Sequence, residues 1–345
     1  MSAGTARDTT AGASSARAEL RRIVARHQAP NLGKSLWQLL STIIAFAAVC
    51  AGMYFSLSVS YALTLGLSVV AAGLLVRIFI IQHDCGHGAF FRSKWANHAI
   101  GSFCGLLTLT PYAHWRRQHA GHHDMWNNLD RRESGVDIYS TCLTVEEYKA
   151  RSPGRRFWYR LVRNPLVTLV LLPPLIFLLL YRVPFDTPDG WAWERFSVHA
   201  TTACVAAIVL LMGWAIGFGA VALVQLPVMV IASMIGVWLF SVQHRFENVA
   251  WLRGAEWSIR AAALRGSSYL RLPRVLQWFT GNIGFHHVHH LNARIPNYRL
   301  AACHAEMPDT NAVPMLTLGA ALRSYRFSLW DEARGKMVTF RAARA

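Results

Sequence analysis

Long apolar runs separated by short polar connectors account for most of the middle of the chain. Residues 36–54 and 61–82 are each long enough to cross a hydrocarbon core about 30 Å thick. The uncharged connector near Ser56–Ser60 makes the two a helical hairpin that returns the chain to its starting side at His83. Residues 96–113 are also apolar, but Gly101, Gly105, Thr108, Thr110 and Pro111 interrupt them. They read as a re-entrant or interfacial helix. Three stretches follow, 165–181, 196–216 and 219–241, the last two joined at Gly217-Phe218-Gly219. Pro173-Pro174 in the middle of 165–181 suits a bent, half-inserted segment, although the acidic connector 183–194 would also serve as an outer loop. The pattern predicts an all-α polytopic membrane protein with about four transmembrane helices and a helical cytosolic cap.

Composition supports a membrane class. Of 345 residues, 53% are hydrophobic and only 15% charged, too few charges for an ordinary soluble chain. The net charge of +17 would suit a nucleic-acid binder, but 32 of the 35 Lys and Arg fall in 1–36, 82–163 and 244–345. Positive charge confined to alternate connectors is the positive-inside pattern, and it places those segments in the cytoplasm and argues against nucleic acid. Three regions follow: a basic N-terminal segment 1–35, a membrane domain 36–305 and a C-terminal cytosolic tail 306–345. Within the first, residues 1–15 are expected to be disordered and 16–28 to form a basic helix resting on anionic lipid. No short apolar core with a cleavage site marks a signal peptide. The six cysteines lack paired spacing and are expected to be reduced.

The candidate chemistry lies where apolar runs end. In Phe285-His286-His287-Val288-His289-His290, residues 286, 289 and 290 share one helical face, while His287 points away. His119, His122 and His123 repeat that spacing, and His83 and His87 stand at i, i+4. His244 follows the last span directly and is a ninth candidate. Neutral imidazole suits Fe, Zn, Cu and Ni, and an i, i+3, i+4 set can give two ligands to one ion and the third to its neighbour. Nine nitrogens are too many for one ion and suit two. His114 and His287 are expected to lie near the site without ligating. His27, His98, His199 and His304 read as ordinary surface or interfacial residues.

Asp84 and Asp124 are candidate partners for the outer ring nitrogens of the ligands, with surface ion pairs to Arg131 or Arg132 as the alternative. Asn282, four residues before His286, would hold a metal-bound water or cap a helix. Arg77 reads first as an arginine snorkelling to the interface, with a position facing protein as the alternative. The chain has no His-Glu-x-x-His, Gly-x-Ser-x-Gly, P-loop or Gly-x-Gly-x-x-Gly, which leaves redox metal chemistry beside lipid.

These three boxes, in this order, resemble the membrane-bound fatty acid desaturases. Asn128-Leu129-Asp130-Arg131-Arg132, Leu143 to Tyr148, Arg163-Asn164-Pro165 and Ile295-Pro296-Asn297-Tyr298 are similar to the bacterial acyl-lipid, Δ12 (ω-6)-like branch. The resemblance implies a non-haem di-iron centre held by His83, His87, His119, His122, His123, His286, His289 and His290, with His244 as an extra ligand. It implies O₂ as co-substrate and a cis double bond placed in the acyl chain of a membrane lipid. A bent apolar tunnel would set the position, with Tyr112, Trp115 and Phe285 as walls or as interfacial belt residues. No His-Pro-Gly-Gly of a fused cytochrome b5 module is present, so electrons are expected from a separate ferredoxin or cytochrome b5-like protein. The expected location is the bacterial inner membrane with the active site on the cytoplasmic side. A lipid or carotenoid hydroxylase is the nearest alternative. A metal transporter or sensor is the non-enzyme one, and it would need ionisable residues at membrane depth.

Overall fold

The computed structural model describes residues 18–132, 139, 141–308 and 313–344; the segment 1–15 expected to be disordered lies outside the described residues. After a short helix α1 (residues 18–27), the chain forms α2 (Leu32–Ser56), α3 (Tyr61–Gly86), α4 (Lys94–Leu107) and α5 (Tyr112–Met125). Then come α6 (Val145–Ala150), α7 (Pro153–Val162), α8 (Leu172–Leu178), α9 (Ala192–Ile216) and α10 (Phe218–His244). Four of these, α2, α3, α9 and α10, are long and apolar enough to cross a membrane, at the positions the apolar runs predict.

The four are not equivalent. In α3, 61% of the apolar window is buried, against 17% in α9, so α3 is the inner helix. Ala71, Ala72 and Gly73 let neighbours approach it closely, and a Cβ on Gly73 would lie 2.8 Å from the Phe279 ring. The outer faces of α2 and α9 instead expose Trp37, Ile44, Leu211 and Trp214, the last 85% exposed. Apolar side chains on the outside and small or polar ones inside is the order a hydrocarbon surrounding selects. The α2–α3 pair is tied near its turn by Ser56 and Thr64, whose hydroxyls are 2.7 Å apart. Gly217, at φ 89°, makes the sharp turn between α9 and α10.

The interrupted apolar stretches form short or broken helices. α4 is only 14 residues long, capped by Ser93. The 165–181 stretch is π-helical over Leu166–Leu171 and α-helical over Leu172–Leu178, with Pro173-Pro174 in the first α-helical turn, and it meets α7 at a 50° bend between Val162 and Leu166.

The remaining elements build a cap at the end of the bundle where α3 and α10 finish. They are α11 (Ile259–Gly266), α12 (Arg274–Phe279), α13 (His286–Leu291), α14 (Asn297–Glu306) and α15 (Leu318–Arg323). Five short strands join them: β1 (Leu143–Thr144), β2 (Tyr269–Arg271), β3 (Met315–Thr317), β4 (Leu329–Asp331) and β5 (Lys336–Val338). β1 runs parallel to β4 with Leu143 opposite Leu329, β4 pairs antiparallel with β5, and β2 pairs parallel with β3. The periodicity of the sequence does not show strands this short.

One local expectation is corrected and one gains a contact the sequence did not show. α1 forms as a helix with Leu20, Ile23 and Val24 buried against Ile283, Phe285, Val288 and Leu300 of the cap and with Arg21, Arg22 and Arg26 exposed. Arg77 does not snorkel: it is buried, donates to Thr42 Oγ1 at 3.1 Å and to the Trp278 carbonyl, and lies 4.2 Å from the Trp278 ring centroid. Inward-facing polar partners make the buried position cheaper than reaching the interface.

Candidate metal centre

Four separate elements deliver the histidines to one end of the bundle. His83 lies in the last turn of α3 and His87 just beyond it; His119, His122 and His123 are on α5, His244 ends α10, and His286, His289 and His290 are on α13. The ring nitrogens sort into two groups. His83, His87, His119, His123 and His289 each offer a nitrogen within 4.8 Å of the others, and so do His122, His244 and His290. His286 joins the second group, its Nε2 2.8 Å from that of His244 and 3.0 Å from that of His290. The first group is tied through Nε2 of His123, 3.2 Å from His119 and 3.0 Å from His289.

Both α5 and α13 divide their triplets between the groups, as the helical spacing requires. Burial, and then the neighbouring imidazoles, hold His119, His123, His286, His289 and His290 well below the usual imidazole range. They are therefore neutral and keep a lone pair. A proton can bridge one pair of facing nitrogens, but groups of five and four converge more lone pairs than shared protons can satisfy. The Nε2 of His87 is buried with no hydrogen-bond partner. Such a donor set, all imidazole and in two adjacent clusters, fits two transition-metal ions.

The surroundings orient the rings. Asp84 Oδ2 accepts from the backbone and side-chain N–H groups of Asn297 at 2.7 and 2.9 Å, while its Oδ1 faces His83 Nδ1 at 3.4 Å. Gln38 Nε2 donates to Asn297 Oδ1 at 2.9 Å, so the network reaches α2. Gly284 lets α13 approach β2. The Leu270 N–H donates to the Gly284 carbonyl at 2.8 Å, and a Cβ on Gly284 would lie 2.5 Å from the Leu270 oxygen. Trp126 packs with its ring centroid 3.9 Å from that of His290.

Beside the first group lies a cleft of about 310 Å³ lined by Gly86, His87, Trp115, His119, Arg117 and Trp193, among others. Trp115 stacks on His119 with centroids 4.8 Å apart. Arg117, 3.0 Å from Glu194, joins α5 to the start of α9 across this cleft.

Other expectations divide. Asp84 faces His83 of the first group. Asp124 does not join it: the residue lies on the exposed side of α5, with no imidazole partner among the described residues. Asn282 neither faces the clusters nor caps α13. At φ 58° it turns the chain before α13, and its Nδ2 reaches the Asn297 carbonyl at 3.4 Å. Trp115 lines the cleft. Tyr112 is buried under Gly101 with its hydroxyl 3.4 Å from the Asn97 carbonyl, and Phe285 stacks on Tyr269 behind α13; neither reaches the cleft. His287 is buried with Nε2 3.0 Å from His304 Nδ1, so His304 is no ordinary surface residue, and His27 is likewise buried 3.1 Å from Glu306. His114 pairs with Asp186 at 3.0 Å, whereas His98 and His199 are exposed. Asn297 and Gln38 escaped the sequence reading; the only signal was Asn297 within Ile295–Tyr298.

A helical membrane frame that gathers nine imidazoles at one end defines a histidine-box membrane oxidoreductase. The family profile described as fatty acid desaturase matches residues 58–316, and the chain belongs to that family. It is 44% identical over 324 residues to a fatty acid desaturase of Bacillus subtilis (strain 168), covering 94% of this chain and 91% of that one. More distant relatives come from Synechocystis. An sn-1 acyl-lipid omega-3 desaturase (ferredoxin) is 28% identical over 67% of this chain and 64% of its own, and an sn-1 oleoyl-lipid 12-desaturase is 24% identical over 68% and 65%.

Proposed function

We propose that the protein is an O₂-dependent acyl-lipid desaturase that places a cis double bond in the acyl chain of a membrane lipid, with the Δ12 (ω-6) position favoured. The observation that carries this is the five-plus-four division of the imidazoles beside a cleft at the end of the apolar bundle. His83, His87, His119, His123 and His289 would hold one iron, and His122, His244, His286 and His290 the other. A bound iron pair would supply the O₂ activation needed to remove two hydrogens from adjacent methylenes; those two hydrogens, with O₂, two donor electrons and two protons, leave as two waters.

The chain itself supplies position. Methylenes along an acyl chain are chemically alike, so selectivity comes from the depth at which the chain is held. Trp115, stacked on His119, forms an apolar wall next to the ligands and keeps water from them. Asp84, fixed by Asn297, holds the His83 ring in orientation. Electrons arrive from a separate donor of the ferredoxin class, drawn by the basic cap. The positive-inside pattern supports a cap, and so a chemistry, on the cytoplasmic side of the membrane, which we take to be the bacterial inner membrane. The names of the Synechocystis relatives support both the lipid-linked substrate and the donor class.

Fatty-acid methyl-ester profiling of a host making the protein tests this. A methylene-interrupted diene at the expense of the monoene is expected. Hydroxy fatty acids would replace the proposal with a hydroxylase, and an unchanged profile would refute it.

A further inference from the structure

The cap contains a second concentration of positive charge that the metal centre does not use. Arg163, at the C-terminal end of α7, and Arg245, directly after α10, are 7% and 3% exposed. Arg163 gives one N–H to the Thr141 carbonyl and lies over the Tyr159 ring. Its Nε and Nη1, and the Nε and Nη1 of Arg245, are buried without a hydrogen-bond partner. Among the described residues, Glu147 pairs with Arg132, Asp130 with Arg253 and Glu247 with Lys336.

The Thr141 carbonyl that accepts from Arg163 precedes Cys142, and Cys142 packs in one buried cluster with Phe246, the residue after Arg245, so the two arginines lie in one neighbourhood. Two like charges buried in one neighbourhood with free N–H groups are a costly feature for a fold to carry. An anion between them removes the repulsion and satisfies the free N–H groups, and the planar guanidinium fork matches phosphate oxygens.

The location adds a second constraint. Arg163 lies at the bend between α7, which exposes Phe157, Trp158, Leu161 and Val162, and the apolar segment that starts at Leu166. Arg245 is one residue beyond a membrane-length helix. Both therefore lie where apolar surface gives way to polar, the depth of lipid headgroups.

We propose that Arg163 and Arg245 together bind a phosphate group at that depth, either the phosphodiester of a glycerophospholipid or inorganic phosphate. The lipid source rests on the acyl-lipid desaturase reading and deepens it: a phospholipid held there has its headgroup against the residue that follows the ligand His244.

The test uses the full-length protein, delipidated in phosphate-free nonionic detergent. Its thermal midpoint is measured alone, with inorganic phosphate, with phosphatidylglycerol, and with diacylglycerol of the same chains. Wild type should gain several degrees with phosphatidylglycerol and none with diacylglycerol. Arg245→Gln and Arg163→Gln should each lose that gain, and each should match or exceed the wild-type midpoint without phosphate because one of two buried like charges is gone. An equal gain from inorganic phosphate supports the site and identifies the free ion as a sufficient occupant; a gain from the lipid alone identifies the headgroup. No gain from either phosphate source, or a gain kept in both variants, overturns the proposal. If a glutamine variant fails to fold, Arg163→Lys, which keeps charge but loses the fork, should show a reduced gain, and an undiminished one counts against the site. Product profiling on the same preparations separates the two readings. Desaturation without a phosphate response removes only this site, and a phosphate response without desaturation removes only the enzymatic reading.

Discussion

His122 and His123 are neighbours in the chain, yet their rings belong to different ligand groups. A helix turns about 100° per residue, so adjacent residues on α5 diverge, while His119 and His123 stay together. That division was legible in the spacing. The partners of Asp84 were not: Asn297 is 213 positions away and meets it only because α14 packs on α3. The packing of Phe285 was hidden for a related reason: its neighbours on α13 face the centre, but its own ring turns to Tyr269, and sequence order does not distinguish the two faces of a loop leading into a helix. Two predictions belong to this scale. His122→Ala and His289→Ala should each abolish desaturation and lower bound iron while the protein still inserts, checked by metal analysis of the purified membrane fraction. Asp84→Asn should keep the fold but weaken iron binding by ~10–100-fold, as lost outer partners of ligand histidines do, read by competition with a graded chelator.

Among the elements, α13 is the most exacting, because its position is set by a backbone contact. Gly284 allows the β2 strand to lie directly against it, and any side chain there meets the Leu270 carbonyl. Gly284→Ala should destabilise the protein by ~1–3 kcal/mol, the usual cost of overpacking, and should also lower bound iron because His286 and His289 shift with the helix. Thermal unfolding and metal content measured together check this, and loss of stability with full iron occupancy would contradict it. The four long helices and the short α4 were readable from run length; the 50° bend was not, because it falls between Val162 and Leu166 and not at Pro173-Pro174. The five strands were not: each is two or three residues long, below the length at which alternation is visible, and they exist through pairings such as Leu143 with Leu329.

On the scale of the whole molecule, separate segments of the chain have no metal site of their own, and the cap closes only when α3, α5, α10 and α13 come together. Metal binding is therefore coupled to the native state. Chelation of the iron should lower thermal stability by ~4 kcal/mol if the free ion had stood near a thousand times its dissociation constant, and re-addition of ferrous iron without O₂ should restore it. The positive charge of the cap and the apolar outer surface of α2 and α9 follow directly from composition, so the general placement in a membrane was the most legible feature of all. How the histidine-bearing ends meet was not, because convergence depends on the packing of the inner helix.

The most direct test of the account is Mössbauer quantification of iron in protein reconstituted anaerobically with isotopically enriched ferrous iron. The account predicts two ferrous ions per chain in nitrogen-rich sites, with both lost when His122 and His289 are replaced together. A chain that holds one ion or none and still desaturates lipid would contradict it.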